Sequence, residues 1–171
     1  MLKERIIAGV DGLLYLFMGP FVVLYVMTRF FMACPVFQSS PGFGIQSVCY
    51  GGMALIWLWS LLAFVCVLYL VIESKGTPLV TMPPKNILAN GPYAFVRNPM
   101  MWSLLLILLG EAFYYGHSLL FLWLICWARI GHLIIFNYEE PQLQRRFGED
   151  WKTYCLKVPR WVPRMNGDRI K

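Results

Sequence analysis

The sequence predicts an all-α membrane protein with about four transmembrane helices and a C-terminal amphipathic helix at the membrane interface. Of the 171 residues, 58% are hydrophobic and 14% are charged, and the mean hydropathy is +0.57. A soluble domain is about 45–50% apolar and about 25% charged. The basic residues give a net charge of +6, but they lie beside apolar stretches and not in a separate basic domain. This placement argues against nucleic acid as a partner.

Four apolar stretches have close to the ~20 residues that a helix needs to cross a bilayer. The first follows Lys3 and Arg5, as in a signal peptide, but it contains Asp11 and Arg29 and no cleavage site follows. We therefore expect it to be retained. The predicted spans of this single membrane domain are residues 10–32, 48–72, 99–115 and 119–138, with a loop at 73–98 and a tail at 139–171.

The positions of Lys and Arg predict the orientation. All but two of the 15 basic residues lie in the N-terminal segment, the loop 73–98 or the tail, and four spans put these three segments on one side. The exceptions, Arg29 and Arg129, fall within predicted spans. Both termini are therefore predicted to be cytoplasmic, in a bacterial inner membrane or an equivalent membrane.

The tail is predicted to lie along the membrane and not to cross it. Leu143, Phe147, Trp151 and Tyr154 recur at spacings of three or four, which is one face of a helix. Such a helix can lie against the bundle and the lipid headgroups. Trp161, in the extended segment that follows, is predicted to be an interface anchor.

The segment GPYAFVRNP, residues 91–99, is predicted to lead into the third span. Asn98 is expected to cap the helix through its side chain, and Pro99 suits the first helical position. Arg97 adds a positive charge where the free N–H groups of that helix point, so the segment could hold a carboxylate or a phosphate. A loop that ends at the membrane interface, where Arg is common, is the alternative interpretation.

The fourth span carries further candidate residues, because Arg129 and His132 interrupt an apolar stretch that ends in Glu139 and Glu140. At about 100° per residue, Arg129 points the same way as Glu140, and His132 the same way as Glu139. This predicts one polar stripe that faces a bundle interior or a water-filled cavity. Alternatively, Arg129 pairs with Glu111 and His132 is a core residue. Glu140 could also lie at the N-terminus of a tail helix.

Together these parts predict a site at the cytoplasmic mouth of the third and fourth spans. Arg97 and a helix N-terminus would face two carboxylates, which suits a zwitterion from the cytosol, while an apolar substrate could enter from the bilayer. The five cysteines contain no CxxC pair, and both histidines are far from them in sequence, so no metal site is predicted. Cys34 and Cys49 could form a disulfide or remain two thiols.

The pattern GPY…VRNP, followed by EEP.L…FG..W..Y…VPRW.P, resembles the isoprenylcysteine carboxyl methyltransferase and phospholipid methyltransferase superfamily. The resemblance is strongest to its short prokaryotic members and covers residues 76–163. It implies an integral-membrane enzyme that uses S-adenosylmethionine without a Rossmann domain, with its active site facing the cytoplasm. The cofactor-binding positions carried over by the resemblance, with His132 added from the polar stripe, are Gly91, Pro92, Tyr93, Arg97, Asn98, Pro99, His132, Glu139 and Glu140.

The chemistry of the charged residues, in line with this resemblance, leads to a hypothesis about their roles. Arg97 and the start of the third span would hold the cofactor carboxylate, and Glu139 or Glu140 its ammonium group or ribose hydroxyls. Arg129 would orient an anionic group of the acceptor. Arg129 and Glu140 are therefore the predicted catalytic residues.

The sequence leaves the acceptor open. It could be a prenylated cysteine carboxylate, a phospholipid amine or a thiol. Asn98 stands where eukaryotic carboxyl methyltransferases have His, and Met101 stands where most relatives have Tyr, which leaves one contact undefined. The alternative functions are a membrane sterol-type reductase that uses NADPH and a catalytically inactive relative.

Overall fold

The computed structural model describes residues 25–33, 46–73 and 86–164, and within these ranges all regular elements are helical. The predicted first span lies outside them except for its last residues, and Cys34 also lies outside, so its pairing with Cys49 stays a prediction. The helices are α1 (Met27–Ala33), α2 (Gln46–Ile72), α3 (Pro99–Tyr115), α4 (Ser118–Ile134), α5 (Glu140–Phe147) and α6 (Glu149–Lys157). A 3₁₀ turn, Gly91–Ala94, precedes α3, and a π-helical segment, Ile135–Glu139, joins α4 to α5.

Two helices in the described ranges are long and apolar enough to cross a membrane, namely Val48–Leu70 within α2 and the continuous helix Ser118–Phe147. The helix α3 is apolar but shorter. Few residues in the most apolar parts of the two long helices are buried, and Trp57 on α2 is 73% exposed. Apolar side chains that point away from the protein suit a helix surrounded by lipid. The second and third predicted spans agree with α2 and α3, whereas four spans and cytoplasmic termini stay predictions.

The helices α2 and α3 pack through two glycines. A Cβ atom at Gly52 would lie 2.6 Å from the carbonyl oxygen of Gly110, and one at Gly110 would lie 2.8 Å from the carbonyl oxygen of Gly52. The backbones therefore approach more closely than any larger residue would permit, which is how helices commonly associate inside membranes.

A short turn reverses the chain between α3 and α4, as the sequence predicts. Gly116 ends α3 in the left-handed conformation, with φ of 63°. His117 then caps α4, because its Nδ1 accepts a hydrogen bond from the backbone N–H of Leu119 at 3.3 Å. The two helices are consequently antiparallel neighbours.

The fourth helix does not end at residue 138, where the sequence predicts the end of the span. It continues through the π-helical segment Ile135–Glu139 into α5, so that one helix runs from Ser118 to Phe147. The N–H of Glu140 bonds to the carbonyl of Ile135, five residues back. Pro141 explains the widening, because it has no N–H to donate to Asn137 and its ring would clash with that carbonyl in a regular α-helix.

The tail forms two helices and not the single predicted one, because Gly148 interrupts it with φ of 56°. The predicted apolar face does exist, since Trp151 and Tyr154 form a cluster with Leu143 and Phe147. This face packs on the loop before α3, where Ile87 and Ala89 complete the cluster. The tail therefore covers the loop that leads to Arg97.

Candidate active site

Arg97 lies between the 3₁₀ turn and α3, and the tail holds it from several sides. Its Nε donates to the carbonyl of Val158 at 2.8 Å. Its Nη1 lies 3.0 Å from Oε1 of Glu140 and 3.2 Å from Sγ of Cys155. Its backbone N–H donates to the carbonyl of Pro159 at 3.0 Å. The direction of the guanidinium is thus fixed by contacts with α5, with α6 and with the segment that follows α6.

Glu140 accepts hydrogen bonds from two arginines. Arg160 contacts it through two nitrogens, with Nε at 2.8 Å from Oε1 and Nη2 at 2.5 Å from Oε2. This two-point geometry is the strong form of an Arg–carboxylate pair. Hydrogen bonding to Glu140 also raises the pKa of Arg160. Because two cations surround one carboxylate, this Arg97–Glu140–Arg160 cluster carries one positive charge in excess.

Aromatic side chains form a wall beside the cluster. The guanidinium of Arg160 lies over the ring of Phe136, with its central carbon 5.2 Å from the ring centroid. The rings of Phe136 and His132 are nearly parallel, 6.2 Å apart. Trp161 donates from Nε1 to Nδ1 of His132 at 3.1 Å, and its carbonyl accepts from Nε1 of Trp102 at 2.7 Å. The segment 158–164 therefore joins α3 to the helix that carries Glu140.

An open groove lies next to the cluster, between the end of the long helix and α6. Its volume is about 470 Å³, within the range of about 300–1,000 Å³ that is common for small-molecule sites. One wall belongs to the π-helical segment and α5, and the other to α6. The residues that line the groove are Phe136, Asn137, Glu140, Pro141, Gln144, Trp151 and Cys155.

Asn98 differs from the prediction. It is the N-cap residue of α3, and Pro99 occupies the first turn as predicted, but the side chain of Asn98 makes no capping hydrogen bond. Its Nδ2 is instead buried, and no described residue is its hydrogen-bond partner. A buried donor of this kind is expensive to leave unsatisfied, so the side chain is available to a bound molecule.

The other predicted residues of the 3₁₀ turn support the site through the backbone. Gly91 has φ of 58° and lies so close to Tyr69 at the end of α2 that a Cβ atom would be 2.5 Å from the ring. Pro92 lies in the first turn of the 3₁₀ segment. The carbonyl of Tyr93 accepts a hydrogen bond from the hydroxyl of Tyr154 at 2.8 Å. Burial raises the pKa of that hydroxyl, which keeps it a donor.

The predicted polar stripe is wrong in one respect, because it assumes a regular helix. In a regular helix, Glu140 would point about 80° away from His132, eight residues earlier. The π-helical segment absorbs one residue, so that His132 and Glu140 both contact the segment 158–164. The same widening turns Arg129 and Glu139 away, and both are exposed.

Arg129 is therefore separate from the cluster. It lies eleven residues before Glu140, which is about 16 Å along a helix axis, and it makes no ion pair with any described residue. The alternative pairing with Glu111 is also absent among the described residues, since Glu111 accepts a hydrogen bond from the hydroxyl of Thr28 at 2.7 Å. A catalytic role of Arg129 stays a prediction.

Several residues of the site are missed by the sequence-based prediction. Arg160, Trp161 and Cys155 come from the tail, and Trp102 from the first turn of α3. The sequence predicts Trp161 as an interface anchor, whereas the structure places its indole against His132. The sequence feature that points to Arg160 and Trp161 is the Arg-Trp pair between two prolines in VPRWVP. A segment of this kind is rigid and shows no helical period.

The fold is that of an apolar helical protein with a charged cluster at one end of its helices. The chain matches the phospholipid methyltransferase family over residues 47–150, which is more than half of its length, and it belongs to this family. A stretch of 63 residues is 36% identical to a protein from Haemophilus influenzae that is named only as uncharacterised, and it makes up 37% of this chain and all of that relative. No solved structure matches the chain. The family match includes Arg97 and Glu140 and ends before Arg160.

Proposed function

We propose that the protein is an integral-membrane methyltransferase that transfers a methyl group from S-adenosylmethionine to a lipid-like or apolar acceptor. The observation that carries this proposal is the Arg97–Glu140–Arg160 cluster beside an open groove. Membership of the phospholipid methyltransferase family supports a methyl donor and not NADPH, so the reductase alternative is not favoured.

The residues fit such a cofactor. Its carboxylate matches the excess positive charge of the cluster, where Arg97 and Arg160 would hold it. The buried Nδ2 of Asn98 offers a further donor. It lies at the N-terminal end of α3, and helix N-termini favour anions. Glu140, which lines the groove, would take the ammonium group or the ribose hydroxyls. When bound, the cofactor supplies a methyl group on a sulfonium, which is already activated for transfer.

The task of the chain is then to align and enclose the reactants. Methyl transfer is an in-line displacement, so its rate depends on positioning and on the exclusion of water. Phe136 and Trp151 line the groove, and the segment 158–164 holds the parts of the site together. A group for general acid–base chemistry is needed only if the acceptor arrives protonated.

We further propose four spans, with both termini and the cluster facing the cytosol. In this arrangement the cofactor arrives from water and the acceptor from the bilayer. Arg129 is exposed on α4 within an apolar helix. A cation in that position would attract an anionic group of a lipid-like acceptor, at a distance from the cofactor subsite that suits a long molecule.

Calorimetry with the purified protein tests the proposal. S-adenosylmethionine should bind and NADPH should not. Arg97→Ala and Arg160→Ala should each weaken the binding of S-adenosylmethionine by about 10- to 100-fold, because each removes charge-assisted hydrogen bonds. Glu139→Ala should weaken it less, since that side chain is exposed. Arg145→Ala, which removes an exposed arginine of α5 outside the groove, is the matched control and should bind normally.

Unchanged binding in both Arg97→Ala and Arg160→Ala would refute the assignment of the cluster. A labelled-methyl assay on membrane lipid extracts then identifies the acceptor. Binding of S-adenosylmethionine without any transfer would favour an inactive relative.

A further inference from the structure

The hydrogen bond between Trp161 and His132 determines which nitrogen of His132 carries hydrogen. The indole of Trp161 can only donate, and its Nε1 lies 3.1 Å from Nδ1 of His132. Nδ1 must therefore keep its lone pair. In a neutral imidazole that accepts this bond at Nδ1, the hydrogen lies on Nε2.

Both rings are held in place. The carbonyl of Trp161 accepts from Nε1 of Trp102 at 2.7 Å, which fixes the backbone of Trp161 against α3. The ring of His132 lies against Trp161, with centroids 5.8 Å apart, and is nearly parallel to the ring of Phe136. A 180° turn of the imidazole would put a carbon in place of Nδ1 and so lose the hydrogen bond from Trp161.

The other nitrogen of His132 makes no hydrogen bond with any residue in the described ranges, and His132 lies one helical turn from Phe136, which lines the groove. We propose that Trp161 is a positioning residue that fixes His132 as a hydrogen-bond donor at Nε2, and that this N–H binds an oxygen atom of a molecule in the site. His132 is thus a donor and not a general base. The oxygen could belong to the cofactor or to the acceptor, and this role in binding rests on the proposed function.

Nuclear magnetic resonance of the ¹⁵N-labelled histidines tests the positioning directly, without any need for activity. The chain has two histidines, and His117 caps α4 at its opposite end, so it serves as an internal control. At about pH 8.5, where an ordinary imidazole is neutral, His132 of the unmodified protein should show hydrogen on Nε2 alone. Trp161→Phe keeps an aromatic ring and the backbone carbonyl, and should give a mixture of both tautomers at His132 only.

A hydrogen on Nδ1 of His132 in the unmodified protein would overturn the inference, and this measurement does not depend on the folding of a variant. An unchanged His132 spectrum in a folded Trp161→Phe variant would overturn it as well. Trp127→Phe, which removes an indole elsewhere on α4, should leave both histidines unchanged.

Substitutions of His132 test the role in binding. His132→Ala should raise either the dissociation constant of S-adenosylmethionine or the KM for methyl transfer to a membrane lipid extract, by about tenfold. The amide of Gln reaches the place of Nε2 and that of Asn the place of Nδ1. His132→Gln should therefore restore most of the loss, whereas His132→Asn should not.

The two readouts identify the source of the oxygen. A weaker affinity for S-adenosylmethionine assigns the oxygen to the cofactor, and a raised KM at unchanged affinity assigns it to the acceptor. If His132→Gln is as defective as His132→Ala, His132 is not a simple donor and the inference fails. If the unmodified protein does not bind S-adenosylmethionine, the proposed function fails, and the NMR result alone decides the tautomer.

Discussion

Glu140 is the residue on which the geometry of the site depends. Its carboxylate is 14% exposed and accepts from Arg97, which precedes α3, and from Arg160, which follows α6. An ion pair this well buried stabilises little in itself, but the loss of one partner leaves an uncompensated charge. Glu140 therefore orients two donors that would otherwise repel each other.

Cys155 is a second single residue of interest, because it offers a chemical probe of the groove. Burial raises the pKa of its thiol, although the nearby Arg97 guanidinium opposes this effect. Its thiolate fraction at about pH 8 is then smaller than that of an exposed cysteine, whose pKa is about 8.5. Alkylation of Cys155 by iodoacetamide, followed by peptide mass spectrometry, should be slow at about pH 8 and accelerate towards about pH 10.

Saturating S-adenosylmethionine should slow this alkylation several-fold, because Cys155 lines the groove. Cys49, near the N-terminal end of α2, is the control. It should react at the same rate with and without S-adenosylmethionine. Equal alkylation of Cys155 in both conditions, while calorimetry shows binding, would place the cofactor elsewhere.

At the residue scale, the sequence was informative where chemistry is local. Arg97 and Glu140 stand out because they belong to the short segments VRNP and EEP at the ends of two apolar stretches. Asn98 was assigned the wrong role, because side-chain capping depends on a local backbone conformation that the sequence does not reveal. Arg160 and Trp161 could not be assigned, because an extended segment has no period that says which way its side chains point.

At the scale of elements, the π-helical segment Ile135–Glu139 decides which side chains share a face. It lets His132 and Glu140, eight residues apart, reach the same segment of the tail. A regular helix would instead align Arg129 with Glu140, which is why the predicted stripe failed. Such one-residue widenings are common at functional sites.

Removal of the proline tests this role. Pro141→Ala supplies the missing N–H and permits a regular helix, which would turn Glu140 by about 80° from His132. Binding of S-adenosylmethionine should weaken at least tenfold by calorimetry, with the helix content by circular dichroism unchanged.

Deletion of Asn137 in the Pro141→Ala variant provides the matching test. It leaves His132 and Glu140 seven residues apart, so a regular helix again brings them to one face, about 20° apart. The double variant should recover much of the lost affinity. Normal binding by Pro141→Ala alone, or no recovery in the double variant, would contradict the role of the π-helical segment.

The glycine contact between α2 and α3 is the second feature that belongs to this scale. Gly52→Ala should destabilise the protein by about 1–3 kcal/mol, because its Cβ would press against the backbone of α3. Gly51→Ala is the matched control, since no atom of the described residues lies within 4 Å of a Cβ there. It should be neutral or slightly stabilising, because Ala is the better helix former. Thermal unfolding in detergent measures both, and equal midpoints would refute the close contact.

At the scale of the whole molecule, the proposed topology makes a direct prediction. A green fluorescent protein fused to the C-terminus should fluoresce, and an alkaline phosphatase fused there should be inactive, because both report a cytoplasmic location. The same two reporters inserted at Gly116 in the turn between α3 and α4 should give the opposite result. Alkaline phosphatase activity at the C-terminus would contradict the orientation.

Hydropathy predicted α2 and α3 almost to the residue, because lipid exposure leaves a strong signal along a chain. The pairing of the loop before α3 with the end of the fourth span was also predictable, since two helices joined by a short turn run antiparallel and bring their far ends to the same side. The path of the tail was not predictable, because the side chains of Trp151 and Tyr154 can pack equally well against a membrane surface or against another part of the protein. Only tertiary packing shows that they cover the loop at Ile87 and Ala89.

The dependence of the cluster on Arg160 also has a consequence for synthesis. Every described helix leaves the ribosome before Arg160 does, so the apolar helices can enter the membrane while the cluster is still incomplete. A nascent or truncated chain that lacks this segment would have Arg97 and Glu140 but not the second arginine or the indole partner of His132. If the cluster holds the cofactor as proposed, the order of translation would delay cofactor binding until insertion into the bilayer is well advanced.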